Sequence, residues 1–421
     1  MADVAALHAA LVDALLRRGA ITDPRVEAAF RAIPRHLFLP DVPLAEVYRD
    51  QAIPTKIRDG EAISSSSQPE IMATMLDQLR LAPGLSVLEI GAGTGYNAAL
   101  MAHIVGEKGS VVTMDVDDDL VESARAHLRA AGASRAQLIH GDGGLGHPAG
   151  APYDRIILTV GAWDVAPAWW AQLRPGGRLV LPLAVGGAQK SVAFVHAGNH
   201  LVSASVKDCV FMRLRGAFAG PAMRVELGDT PGLHLYVRDP AGIDPAAAYA
   251  LLRSVPADLP TGIDVLVREV AGGLVLWIAL REPGFCWLEA LGANADDQPV
   301  PELYTVPGKY RSACGVFERA SAGFYMRSRG EPVSAGTREP RPFELYVRSL
   351  GQSAEIGRRL RDHARAWSAA GRPGSDGLRI RALPIQAAYT PAPHEQVVEK
   401  RWTRLVLDWP DQVAPGEEKP R

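Results

Sequence analysis

The segment Val87-Leu88-Glu89-Ile90-Gly91-Ala92-Gly93-Thr94-Gly95-Tyr96-Asn97 constrains this chain more than any other. An apolar run ends at an acidic residue, and three glycines at alternate positions then turn the backbone toward a helix. Glycine in such a turn lets main chain approach a ligand closely, because no Cβ intervenes and positive φ carries no steric cost. A dinucleotide fingerprint needs G-x-G-x-x-G, with its third glycine where this chain has Tyr96. The pattern here is E-x-G-x-G-x-G, which argues for a nucleotide-like ligand and against hydride transfer.

Around this turn, short apolar runs alternate with helical patterns. Strands are expected at 86–90, 110–115, 136–140, 155–160 and 178–183, with helices between them. The region 81–220 therefore reads as an α/β domain with a doubly wound, Rossmann-like sheet, its ligand at the carboxyl ends of the strands. Two further acids stand at such ends. Asp115 closes the second strand, where a carboxylate can accept both hydroxyls of a ribose, and Asp142, in Gly141-Asp142-Gly143, closes the third, in reach of an exocyclic adenine amine. Each acid taken singly reads more readily as a helix cap than as a ligand. The stretch Leu173-Arg174-Pro175-Gly176-Gly177-Arg178 supplies a tight turn into the fifth strand.

Before this domain, leucines at 7, 11, 15 and 16 mark one helix, and Thr22-Asp23-Pro24 opens a second that ends before Pro34. Residues 40–69 carry Pro43, Pro54 and Gly60, end in the run Ser64-Ser65-Ser66-Ser67, and read as a loop; a helix resumes at Pro69. After about residue 220 the rhythm changes. Strands are expected at 233–238, 263–270, 274–280 and 343–348, and a helix at 354–370 with Ile356, Leu360 and Trp367 on one face, Ser353 as its cap and Gly371 as its stop. Four regions follow: 1–80 as N-terminal helices and a covering loop, 81–220 as the ligand-binding domain, 221–410 as a C-terminal α+β domain, and 411–421 as a Pro- and charge-rich disordered tail.

With 421 residues, the chain has room for two or three domains. Its 45 Lys and Arg against 47 Asp and Glu leave a formal charge of -2, which gives no sign of a nucleic-acid partner. Cys209, Cys286 and Cys314 form no C-x-x-C pair, so neither a metal site nor a disulfide framework is expected. No apolar run approaches the roughly 18 residues that cross a bilayer, and the start lacks a secretory pattern, so no membrane partner and a cytoplasmic location are expected.

On successive strands in this order, the acids and glycines resemble the class I fold of S-adenosylmethionine (SAM)-dependent methyltransferases. The flanks are more particular. Pro34-Arg35-His36-Leu37-Phe38, Tyr48-Arg49-Asp50-Gln51-Ala52-Ile53-Pro54, Ser67-Gln68-Pro69, Val160-Gly161-Ala162, Leu181-Pro182-Leu183 and Val210-Phe211-Met212-Arg213-Leu214 resemble the protein-L-isoaspartate O-methyltransferase (PCMT) family over residues 7–220. That resemblance implies SAM as cofactor, a peptide or protein substrate bearing Asp or isoAsp, and methylation of its side-chain carboxylate. It carries cofactor contacts onto Glu89, Gly91, Gly93, Gly95, Asp115, Asp142 and Gly143, with Ser65 and Ser66 beside them. The family's active-site serine, in Thr-Ile-Ser-Gln-Pro, falls on Ser67 when anchored at Gln68-Pro69. The run between Gly60 and Gln68 is longer than the family's, and Ser64 in Ile63-Ser64 is an alternative match. His36 is a second group able to hold a carboxylate, or equally a structural histidine.

A repair enzyme of this family needs only the first half of such a chain. The extended form resembles actinobacterial relatives that modify ribosomally made peptides of the lanthipeptide kind, forming succinimide or isoaspartate at a chosen aspartate. General isoaspartyl repair, a non-catalytic module keeping the cofactor fold, and methylation of a small molecule or RNA are the alternatives.

Overall fold

The computed structural model describes residues 3–58, 60–228, 232–328 and 341–410, so the tail expected at 411–421 lies outside the described residues. The chain divides into two units. One comprises residues 1–184, 189–220 and 379–408; the other comprises 185–188, 221–378 and 409–421.

The first unit opens with helices Val4–Arg17 and Pro24–Ala32, each capped by an aspartate, Asp3 or Asp23, whose carboxylate accepts from a first-turn amide. The expected loop is partly ordered into a hairpin of β1 (Ile53–Arg58) and β2 (Glu61–Ser66), turned at Gly60 with φ +79°. Ser64, Ser65 and Ser66 thus lie in a strand, with Ser65 opposite Pro54 and Ser66 opposite Ile53, and Ser67 follows its end. Serine has little strand preference of its own, and the pairing with Ile53–Arg58 overrides it. The Asp59-Gly60 dipeptide was the available turn signal. Helix Pro69–Leu79 follows, burying Met72, Met75, Leu76 and Leu79.

The central sheet contains β3 (Ser86–Ile90), β4 (Ser110–Asp115), β5 (Gln137–His140), β6 (Tyr153–Leu158), β7 (Leu173–Val185), β8 (Ala188–His196) and β9 (Leu201–Asp208). The first five run parallel in the order β5-β4-β3-β6-β7, so the chain reverses its direction of winding at β3. A doubly wound sheet opens its ligand crevice at such a switch point, and the glycine turn follows β3 directly.

Beyond β7 the sheet continues through β8 and β9, which pair antiparallel, and then takes three more strands from the far end of the chain: Arg379–Pro384, Thr403–Asp408 and Gln396–Glu399. This corrects the expectation of one C-terminal domain over 221–410. Arg381 pairs with Val202 and Ala382 with Leu201, covering the β9 edge that would otherwise offer a row of unpaired amides. Burial of Ile380, Ala382, Leu405, Val406 and Leu407 accompanies it.

The second unit is an eight-stranded antiparallel sheet with helix Glu355–Ala369 against it. A Cβ at Gly323 would come 2.9 Å from Ile356 Cγ2 and Leu360 Cδ1, so the helix seats where that strand lacks a side chain. Ser353 accepts from the Glu355 amide at 3.1 Å, and Gly371 adopts φ +81°. Strands Leu233–Val237 and Phe343–Gly351 stand where expected. Two neighbours differ. The run at 274–280 is not a strand but helix Val275–Arg281, following a wide turn at Val270–Leu274, and the strand expected at 263–270 lies at Ala257–Val265. A short, wholly apolar run suits a buried helix as well as a buried strand, and here the Glu269 carboxylate accepts from the Leu266 amide at 2.7 Å, starting a helix in place of the strand.

Candidate active site

The three glycines of the turn do different work. Gly91, at φ +102°, leaves no room for a Cβ, which would lie 2.7 Å from Thr159 Oγ1. Gly95, at φ +86°, is buried, and its missing Cβ admits Ala124 and Leu128 at 3.3 Å, drawing helix Asp118–Ala130 against helix Tyr96–Val105. Only Gly93, half-buried at φ +52°, faces the serine strand, with the Ser65 carbonyl 3.6 Å from where its Cβ would stand. Gly95 is therefore a packing position rather than the direct contact expected of it.

Glu89 is likewise corrected. It is fully buried beneath the turn, accepting from Asn97 Nδ2 at 2.7 Å and Thr113 Oγ1 at 2.6 Å. Burial pushes its carboxyl up to about 7, and the two donors only partly offset this. A group so enclosed is held by the chain's own donors and positions the turn from below. Gly143 is buried too, since a Cβ there would stand 2.3 Å from Ile90 Cγ2.

Asp115 and Asp142 remain half-buried at the strand ends. Asp115 Oδ2 accepts from the Gly93 amide at 3.0 Å and Oδ1 from the Asp117 amide at 3.3 Å. Asp142 Oδ1 accepts from the Gly144 amide at 2.9 Å and Oδ2 from the Ala217 amide at 2.6 Å. A carboxylate has about four acceptor sites, so both retain capacity for a ribose hydroxyl and an adenine amine. With the side-chain-free approach at Gly93, this donor and acceptor set fits an adenosyl cofactor.

The serines separate by strand alternation. Ser64 and Ser66 are buried: the Ser64 hydroxyl accepts from Thr55 at 3.1 Å, and the Ser66 hydroxyl from Arg35 Nη2 at 3.3 Å. Those contacts tie the Ser66 hydroxyl to Arg35 and the Ser64 hydroxyl to the facing strand. Ser65 and Ser67 are half-buried. Fixing this stretch is Arg35, wholly buried, whose guanidinium also donates to the carbonyls of Val47 at 2.9 Å, Gln51 at 3.2 Å and Ser67 at 3.0 Å. Desolvation holds its pKa below the ordinary value. Its positioning role was not foreseen; an arginine inside an otherwise apolar Pro-Arg-His-Leu-Phe run was the available signal. His36 Nδ1 lies 2.7 Å from the Tyr48 hydroxyl, a structural pairing.

An ion network closes one side. Asp117 accepts from Arg215 at 2.8 and 3.0 Å and from Lys56 of β1 at 3.0 Å, and these contacts, Arg215 first, hold its carboxyl down at about 2.

The sheet order, the glycine turn and the two strand-end acids define the class I fold of SAM-dependent methyltransferases. The family model described as "Protein-L-isoaspartate(D-aspartate) O-methyltransferase (PCMT)" matches residues 6–217, and the chain belongs to that family. Its protein-L-isoaspartate O-methyltransferase relatives include that of Thermotoga maritima, 39% identical over 43% of this chain and 57% of the relative, so this chain spans little more than half the length of that protein. The relative from Hyperthermus butylicus is 38% identical over 49% of this chain and 88% of its own length. A solved protein-L-isoaspartate O-methyltransferase aligns over 89% of this chain and 96% of its own, at 24% identity and a TM-score of 0.49.

Proposed function

We propose that this chain methylates the side-chain carboxylate of an aspartyl or isoaspartyl residue, and that its preferred substrate is a ribosomally made peptide precursor in which succinimide or isoaspartate then forms. The observation carrying the reaction is the serine strand laid against the glycine turn, with Ser65 over Gly93 and Gly93 tied to Asp115.

When bound, SAM supplies a methyl group activated by its sulfonium. Asp115 and Asp142 would hold its ribose and adenine, and the main chain at Gly91 and Gly93 would leave room for its amino-acid portion. A carboxylate with a reference pKa near 4 is already ionised at neutral pH, so the chain need supply no general base. Its work is to orient that carboxylate and exclude water. Ser67, its carbonyl bonded to Arg35, would offer that carboxylate a hydroxyl without the full charge of a lysine. In the product ester, attack by the next backbone nitrogen closes a succinimide and expels methanol, which carries away the amide proton.

Support for a peptide substrate comes from the unit over 221–378, which lies outside the family match and supplies a further surface for selection. A cytoplasmic location belongs to the same proposal; among the described residues no helix is long and apolar enough to cross a membrane. General isoaspartyl repair is the second reading, favoured by the family match itself. Labelled SAM with a generic isoaspartyl peptide and with cyclised, aspartate-bearing precursors separates the two. Faster turnover of a precursor is expected, and efficient turnover of the generic peptide alone would establish repair.

A further inference from the structure

The loop leaving β6 touches the glycine turn and then meets a segment from the far end of the chain. Thr159 donates to the Gly91 carbonyl at 2.6 Å, and Gly161 exchanges backbone bonds with Met212 at 2.6 Å and Leu214 at 2.8 Å. Three residues on, the buried Asp164 carboxylate accepts from the Trp402 amide at 2.8 Å and from the Thr403 hydroxyl. Trp402 is thereby held by a carboxylate of the loop that leaves β6, five residues beyond the Thr159 that touches the glycine turn.

What is held there is an aromatic and cationic surface. The Trp402 ring lies 4.8 Å from that of Phe218, which fills the space above Gly144, and the Ala217 amide beside Phe218 donates to Asp142. The Arg401 guanidinium stands 5.0 Å from the Trp402 ring, and the Lys400 ammonium 4.8 Å from that of Trp163. Trp163, Phe218 and Trp402 are all half-buried, and Arg401 is exposed. Within this strand end Glu399 is engaged in an ion pair with Arg404. Indole faces flanked by guanidinium and ammonium groups suit polypeptide contacts, with the cations selecting carboxylates.

We propose that Arg401 and Trp402, with Lys400 and Trp163 beside them, form a specificity surface that binds an acidic stretch of the polypeptide substrate next to the carboxylate being methylated. The proposal rests on the carboxyl-methyltransferase reading above. Single-stranded RNA also favours aromatic faces between cations. The chain's membership of a family described by protein-L-isoaspartate O-methylation favours the polypeptide.

The test uses the full-length enzyme, SAM and two isoaspartyl peptides that differ only in carrying Glu or Gln on either side of the target. The acidic peptide is expected to show at least fivefold higher kcat/KM, arising in KM. Arg401→Glu should abolish or invert that preference, and Trp402→Ala should weaken binding of both peptides where Trp402→Phe restores it. Arg401→Gln replaces the charge reversal should that variant fold poorly, with adenosylhomocysteine affinity as the folding check. Equal turnover of the two peptides by the unaltered enzyme, an unchanged preference in Arg401→Glu, or displacement of peptide by single-stranded RNA would each overturn the surface. Retained adenosylhomocysteine binding with neither these peptides nor the cyclised, aspartate-bearing precursors methylated would overturn the carboxyl-methyltransferase reading itself.

Discussion

The guanidinium of Arg35 donates to the Ser67 carbonyl at 3.0 Å from a wholly buried position. One side chain thereby ties the end of the serine strand to the carbonyls of Val47 and Gln51, more than ten residues earlier. Removing it strands several buried acceptors at once. Arg35→Ala is expected to cost about 3 kcal/mol of stability, measured by denaturant titration, and to lower kcat while adenosylhomocysteine affinity stays within a few-fold. Arg35→Lys should recover part of the stability but less of the turnover, because an ammonium cannot span the same set of carbonyls.

Asp115 and Asp142 accept backbone amides of the loops they organise, so each substitution should weaken cofactor binding both directly and by loosening a loop. Asp142→Ala and Asp115→Asn are each expected to reduce adenosylhomocysteine affinity by about tenfold or more by calorimetry, equivalent to about 1.4 kcal/mol. Undiminished binding in both variants would place the cofactor elsewhere.

Glu89 sets a pH dependence whose sign follows from burial. Its folded pKa, about 7, lies above an ordinary carboxyl value, so the native state binds the extra proton between about pH 4.5 and 7. Its contribution to stability is therefore fully present below the lower value and is lost as pH rises through 7. In Glu89→Gln, the fall in denaturation midpoint across that window should flatten. Asp117 behaves in the opposite sense: its depressed pKa contributes stability above about 4 that disappears as pH falls through about 2. With Lys56 and Arg215 partly solvated, the network is worth about 1 kcal/mol and should weaken in salt.

Gly143→Ala forces a methyl into the space of Ile90 Cγ2 at 2.3 Å. About 2 kcal/mol of destabilisation is expected from overpacking, with a loss of cofactor affinity as the neighbouring Asp142 shifts. Thermal unfolding with and without adenosylhomocysteine separates the two effects.

Truncation after Gly220 would delete the strands Arg379–Pro384, Gln396–Glu399 and Thr403–Asp408 together with the second unit. The exposed β9 edge should make that fragment aggregate, which light scattering would detect. Loss of activity in it would say nothing about substrate selection. Deleting 221–378 alone keeps the sheet whole and is the informative variant.

Much of the site was legible locally. The parallel strands, the glycine turn and the acids at 115 and 142 follow from apolar runs and turn residues that act over a few positions. The second unit was less legible, because the apolar stretch at 274–280 satisfies helix and strand equally and only its packing decides. The family resemblance implies ligand contact for Glu89, Gly95 and Ser66, while their neighbours Thr113, Ala124 and Arg35 come from elsewhere in the chain and enclose them.

By itself the sequence determined the class of the sheet, the place of the glycine turn in it and the family, since these depend on short-range periodicity and on residues with special backbone freedom. The tertiary structure alone decided which serines stay accessible, that Arg35 fixes them, and that residues 379–408 return to complete the first sheet. Such outcomes rest on hydrogen bonds and burial between segments up to about two hundred residues apart, and no local pattern encodes that pairing.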